Sequence, residues 1–216
     1  MLEAAGVNLN LTPEQVSACI EKVGVGFMFA PLHHSAMKHA IGPRREMAVR
    51  TIFNVLGPLT NPAGVSNQVL GVFDKQLVEP LARVLQKLGS QHVMVVHSYD
   101  GMDEISIGAR TNVAELKDGQ VTTYTLQPED FGLSKGNIKE LVVEDAQQSL
   151  GMIRLVFEGH QGPARDIVVL NAGAAIYVAG LADTHQAGVD KAQAVIDSGA
   201  ALKKLDELVA VSNSFE

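Results

Sequence analysis

The chain has 216 residues, 46% of them apolar and 19% charged, with a formal net charge of -7. That is the composition of a soluble globular protein long enough to bury a large core. An acidic balance without a long basic face argues against nucleic acid binding, and no run approaches the roughly 20 apolar residues of a membrane span. The single cysteine, Cys19, excludes an intrachain disulfide, and the start lacks a basic segment followed by an apolar run, so a reducing, cytoplasmic setting is expected.

The first nine residues form an E-A-A-G-V-N turn before any regular element. Thr12-Pro13-Glu14-Gln15 is a strong helix start: a capping threonine, a proline at the first helical position and a reciprocal glutamine three residues on. The helix should end near Lys22 to Gly24, with Cys19 packed inside it. Gly26 to Pro31 is a short apolar run expected to be buried. His33 to Ile41 has a helical apolar face, and Pro43 can open another short helix. Gly57-Pro58 and Asn61-Pro62 then predict a rigid irregular turn, because proline lacks an N–H and restricts the residue before it.

Beyond Gly64 the pattern alternates. Gln68–Phe73 reads as a strand, Leu77–Leu88 as an amphipathic helix and His92–His97 as a buried strand, a unit whose crossover makes the two strands parallel. Ile105–Ile107, Asn112–Leu116 and Val121–Leu126 read as short strands, the last two joined at Asp118-Gly119 as a hairpin. Helices are expected from an Asp145 cap through Phe157, over Ala164–Gly180, Thr184–Asp197 and Ala200–Ala210, with residues 211–216 fraying.

Three arginines, Arg44, Arg45 and Arg50, stand close together in this acidic chain. They suit a locally positive pocket for an anionic small molecule; a surface arginine answered by Glu46 is the plainer alternative. Asp103 and Glu104 follow the second strand, where ligands of parallel sheets collect. Such a pair reads either as a solvated acidic loop or as hard oxygen ligands for a hydrated magnesium ion. Lys38 stands equally between a phosphate contact and an exposed side chain. The seven histidines show no metal spacing, and the chain has neither a P-loop nor a Rossmann fingerprint.

Several stretches together carry a resemblance: L-E-A-A-G-V-N-L at 2–9, G-F-M-F-A-P at 26–31, H-H-S-A-M-K-H at 33–39, G-P-R-R-E at 42–46, R-T-I-F-N-V-L-G-P-L-T-N-P-A at 50–63, M-D-E-I-S at 102–106 and V-A-E-L at 113–116. Over essentially its whole length the chain resembles the C-terminal part of the anthranilate phosphoribosyltransferases, which join anthranilate to phosphoribosyl pyrophosphate and release pyrophosphate in tryptophan biosynthesis. The resemblance implies an α/β fold with a central mixed, largely parallel sheet flanked by helices, like that of nucleoside phosphorylases. It implies one truncated domain over residues 1–216, with short N-terminal helical segments from a domain junction, and a homodimer when full length. By motif, Arg44 matches the arginine that contacts anthranilate, Pro58 a wall of the anthranilate channel, and Asp103 with Glu104 the pair that binds Mg2+. Ser35 stands where the family more often has proline. The family's G-T-G-G-D, N-x-S-T, K-H-G-N-R and S-G-S-A-D segments are absent, so the chain is expected to lack most of the phosphoribosyl pyrophosphate cradle and one magnesium ligand. A pyrimidine nucleoside phosphorylase and a non-catalytic fragment are the competing expectations.

Overall fold

A computed structural model describes residues 1–33 and 53–215. The remainder of the expected helix after His33, the one expected to open at Pro43, and Lys38, Arg44, Arg45 and Arg50 lie outside the described residues. Chain contacts divide the protein into two compact units, Met1–Gly64 with Glu144–Arg154 and Ala200–Glu216, and Val65–Val143 with Leu155–Gly199.

In the first unit, helix α1 (Pro13–Val23) begins with the capping box read from the sequence: Thr12 Oγ1 accepts the Gln15 N–H at 3.3 Å and the Gln15 amide oxygen accepts the Thr12 N–H at 2.9 Å. Two short helices follow, α2 (Ala30–His33) and α3 (Phe53–Leu59). Helix α5 (Ala146–Phe157), of which the residues up to Arg154 belong to this unit, starts at Asp145, whose carboxylate accepts the Gln147 and Gln148 N–H groups at 2.8 Å each. Helix α8 (Ala200–Ser212) lies against α1 and closes a small core of Val7, Leu11, Val16, Cys19, Val23 and Leu208. Burial pushes the Cys19 thiol above its ordinary value, as befits a packing residue.

Three expectations for this unit change. Residues 211–215 do not fray: α8 runs to Ser212, whose buried hydroxyl accepts the Asn8 N–H at 3.1 Å, and Phe215 packs on the core. The apolar run 26–29 is only half inward. Met28 joins the core while Phe27 and Phe29 are each 37% exposed. The irregular corner at 57–62 is also more ordered than its prolines suggest. Pro58 falls in the last turn of α3, where the helix is already ending: the Thr60 N–H bonds the Leu56 and Gly57 carbonyls at 3.1 and 3.2 Å. The turn begins only at Asn61, whose side chain accepts the Ala63 N–H at 3.0 Å.

The second unit is built on a four-stranded sheet in the order β1 (Asn67–Gly71), β2 (His92–Ser98), β3 (Thr111–Lys117), β4 (Gln120–Leu126). The mixed α/β class holds. Among the described residues the parallel part is the β1–β2 pair, joined through α4 (Val78–Lys87), and the pairings of β3 are antiparallel. Asp118 and Gly119 both adopt positive φ, 50° and 74°, the turn that matches hairpin twist. Met94, Val96 and Val113 share a core with Leu170, Ala174 and Val178 of α6 (Pro163–Val178), and Val189 of α7 (His185–Asp197) completes it. Thr184 caps α7 through the Ala187 N–H at 3.1 Å, and buried Arg165 bridges α6 to α7 through Asp197 at 2.7 Å. Among the described residues no helix is long and apolar enough to cross a membrane.

Candidate functional site

The parallel strands β1 and β2 both end at the same side of the sheet, and residues 99–110 form the loop that leaves β2 there. Internal hydrogen bonds pin this loop. The Asp100 carboxylate accepts the Ser106 hydroxyl at 2.6 Å, and Ser106 Oγ in turn accepts the Gly108 N–H at 2.8 Å. The Ser98 N–H bonds the Met102 carbonyl at 2.9 Å, and the Ser106 N–H bonds Thr111 Oγ1 at 3.1 Å. Burial raises the Asp100 carboxyl, but its bonds from Ser106, Ser98 and the loop backbone prevail and hold it below its ordinary value.

Ile105-Ser106-Ile107 was expected as a strand and is not one. All three residues are buried, and their alternation of apolar and polar side chains looks like a strand's. Their backbone partners differ: the Asn171 side chain takes the Ile105 N–H at 3.0 Å and donates to its carbonyl at 2.9 Å, and the Ile107 carbonyl accepts the Gly136 N–H at 2.8 Å.

Within this pinned loop Asp103 and Glu104 are exposed, and among the described residues no hydrogen bond or ion pair engages either carboxylate. Although the residue as a whole is exposed, Glu104 is held above its ordinary value, first by partial desolvation of its carboxyl and second by the Asp103 charge beside it. A divalent cation beside two ionised carboxylates would offset their mutual repulsion. Ionisation of Glu104 disfavours the folded state: the cost is absent below the pH at which a free glutamate titrates and grows as pH rises through the raised folded-state value. Asp103→Asn is expected to move the Glu104 midpoint down, yet only part of the way, because burial is the larger cause. A carboxyl-carbon NMR titration checks this, and an unmoved midpoint would show that Asp103 exerts no field on its neighbour.

The donor chemistry fits magnesium. Among the described residues no group of three or more His, Cys, Asp and Glu side chains could form a complete cage. Magnesium seldom uses one; it keeps water and phosphate oxygens around one or two carboxylates. Pro58 lies in α3, half-buried, and Arg44 lies outside the described residues. Sequence reasoning overlooked Asn171 and Gly71. A Cβ on Gly71, at the end of β1, would sit 1.6 Å from the Asp103 carbonyl oxygen, so only glycine lets that backbone cross the strand end. The signal available was a lone asparagine in an apolar helix and a glycine closing a strand.

Comparison with known proteins decides the lineage. The model of the glycosyl transferase family, a/b domain, matches residues 1–202. The chain belongs to this glycosyl transferase family. It is 65% identical over 214 residues to anthranilate phosphoribosyltransferase of Thioalkalivibrio sulfidiphilus, covering 99% of this chain and 63% of that protein. The same enzyme of Methylococcus capsulatus is 59% identical, with 100% and 63% covered. The crystal structure of anthranilate phosphoribosyltransferase from Thermus thermophilus superimposes with a TM-score of 0.91 at 40% identity, covering 99% of this chain and 63% of that one. The Saccharomyces cerevisiae enzyme in complex with PRPP and Mg gives 0.88 at 25% identity, with 99% and 62% covered. The resemblance read from the motifs is thus borne out, and this glycosyl transferase chain spans about 63% of the length of the curated relatives it matches.

Proposed function

We propose that this chain serves transfer of the 5-phosphoribosyl group from phosphoribosyl pyrophosphate to anthranilate, giving N-(5-phosphoribosyl)anthranilate and pyrophosphate in tryptophan biosynthesis. The observation that carries this reading is the Asp103–Glu104 pair, its carboxylates unengaged among the described residues, on a pinned loop beside the ends of β1 and β2, in a chain 65% identical to an anthranilate phosphoribosyltransferase. Asp103 and Glu104 would hold magnesium, which supplies positive charge against the departing pyrophosphate. Arg44 orients the anthranilate carboxylate, since a guanidinium meets a carboxylate through two parallel bonds. Pro58 supplies a rigid apolar wall for the aromatic ring. The aromatic amine attacks C1 of the ribosyl ring as the bond from C1 to pyrophosphate breaks, pyrophosphate leaving with the bonding electrons and the amine losing its proton to water, and the protein contributes position and electrostatics without a covalent nucleophile.

We read residues 1–216 as belonging to one phosphoribosyltransferase α/β domain with helical segments from a domain junction, and the complete enzyme as a cytoplasmic homodimer. The test follows anthranilate consumption with phosphoribosyl pyrophosphate and Mg2+, using the chain alone and the chain mixed with the portion of the Thioalkalivibrio relative that the match does not cover. Turnover requiring both phosphoribosyl pyrophosphate and Mg2+ supports the reading. Cleavage of a pyrimidine nucleoside by inorganic phosphate in its place would overturn it. In the active preparation, Asp103→Ala with Glu104→Ala is expected to reduce turnover at least about tenfold, equivalent to ~1.4 kcal/mol of transition-state stabilisation; unchanged magnesium-dependent kinetics would remove the pair from the mechanism.

A further inference from the structure

We propose that Asn171 is a positioning residue for the Asp103–Glu104 pair, fixing the loop from helix α6 so that both carboxylates stay at the sheet end; this rests on the reading that the pair holds magnesium. Asn171 lies in a stretch of α6 otherwise made of apolar and small residues, L-N-A-G-A-A-I. Asparagine in a helix interior is a poor choice for helix stability alone, because its side chain competes for backbone groups.

Here the side chain satisfies a backbone elsewhere. Its Oδ1 accepts the Ile105 N–H at 3.0 Å, its Nδ2 donates to the Ile105 carbonyl at 2.9 Å, and Nδ2 also donates to the Ile167 carbonyl of its own helix at 2.9 Å. One primary amide thus does for Ile105 what a neighbouring strand would do, and its second donor locks the amide's own orientation. A carboxylate has no donors for the two carbonyls, and an aliphatic side chain satisfies none of the three groups.

The position of this clamp gives it meaning. Ile105 is the residue directly after Glu104, and the Asp103 carbonyl oxygen, inside the pair itself, passes so close to the end of β1 that a Cβ on Gly71 would lie only 1.6 Å from it. The backbone is therefore hydrogen-bonded at 105 from α6 and packed closely against the end of β1 at 103, while the two carboxylates stay unengaged among the described residues. Cation ligands need backbone held to a fraction of an ångström, and groups that orient ligands affect metal affinity strongly. Asn171 touches no reacting atom and acts through the loop.

The test uses Mn2+ alone as probe, its binding to the chain read by water-proton relaxation, alongside amide hydrogen exchange. Four proteins are compared: wild type, Asn171→Ala, Gly71→Ala, and the double variant Asp103→Ala with Glu104→Ala. Wild type is expected to bind Mn2+ and the double variant to lose it. Asn171→Ala and Gly71→Ala are each expected to weaken binding about tenfold or more. Exchange should rise at the Glu104–Ser106 amides in Asn171→Ala while the β2 and β3 amides remain protected. Asn171→Asp keeps the acceptor for the Ile105 N–H and should retain part of that protection. Wild-type Mn2+ affinity in Asn171→Ala, whatever its melting temperature, overturns the positioning role and leaves the pair's role intact. Wild-type affinity in the double variant overturns the pair as the cation site, and this proposal with it.

Discussion

Gly188→Ala is expected to destabilise the sheet-bearing unit by about 3 kcal/mol, the cost of forcing an extra methyl into a packed contact that cannot relax. A Cβ on Gly188, in α7, would lie 2.2 Å from the Gly173 carbonyl oxygen of α6, and a Cβ on Gly173 would lie 2.6 Å from the Val189 backbone nitrogen. Both obstacles are backbone atoms, which side-chain rotation cannot clear. Leu170, Ala174 and Val189 around this crossing are fully buried, so spreading the helices opens the core as well. Gly151, inside α5, is the control: nothing lies within 4 Å of its would-be Cβ, and alanine there should add roughly 0.5–1 kcal/mol through helix propensity. Urea midpoints measured on the two variants should move in opposite directions. A Gly188→Ala midpoint equal to wild type would contradict the close crossing of α6 and α7.

The second large effect is expected from Glu115→Ala, at about 3–4 kcal/mol, because removing a buried charge leaves its partners stranded. Glu115 is 8% exposed on the α6 face of β3. Its carboxylate accepts Tyr177 Oη at 2.7 Å, Tyr124 Oη at 2.8 Å and His92 Nε2 at 2.9 Å, and Lys117 Nζ donates to Tyr177 Oη at 3.0 Å. Burial raises the Glu115 carboxyl, but the bonds from Tyr177, His92 and Tyr124 outweigh it and leave the group below its ordinary value. Burial, followed by the Glu115 charge, pushes the Tyr124 hydroxyl far above the ordinary tyrosine range. A depressed carboxyl stabilises the fold above the pH at which free glutamate titrates, and that contribution disappears as pH falls through the folded-state value. The wild-type acid limb should therefore be steeper than that of Glu115→Gln. Equal acid limbs would mean that the carboxylate is not held by these bonds.

What was legible in the sequence was local. Thr12 and Gln15 sit three residues apart and specify a cap whatever surrounds them, and Asp118-Gly119 specifies the hairpin because both residues tolerate positive φ. The order strand, helix, strand around α4 followed from periodicity. Long-range partners were not legible. Ile105–Ile107 imitates a strand because its apolar alternation is real, and only Asn171, 66 residues away, shows that its hydrogen bonds go to a side chain. Glu115 looked like an ordinary strand residue, since its partners come from β2, β4 and α6. For the candidate site, Asp103 and Glu104 could be named from their place after a strand and from the M-D-E-I-S motif. That the surrounding loop would be fastened by Asp100, Ser106 and Asn171, while among the described residues nothing engages those two carboxylates, was information held only by the fold.

The proposed function turns on cation binding by Asp103 and Glu104 alongside phosphoribosyl pyrophosphate. Calorimetric titration of phosphoribosyl pyrophosphate into the chain plus the portion of its Thioalkalivibrio relative that the match does not cover tests this step. The titration is run with and without Mg2+ and repeated with Asp103→Ala and Glu104→Ala combined. A Mg2+-dependent binding heat is expected in the wild-type preparation and is expected to be lost in the double variant. Equal Mg2+-dependent affinity in the two preparations would show that these carboxylates are not the cation site.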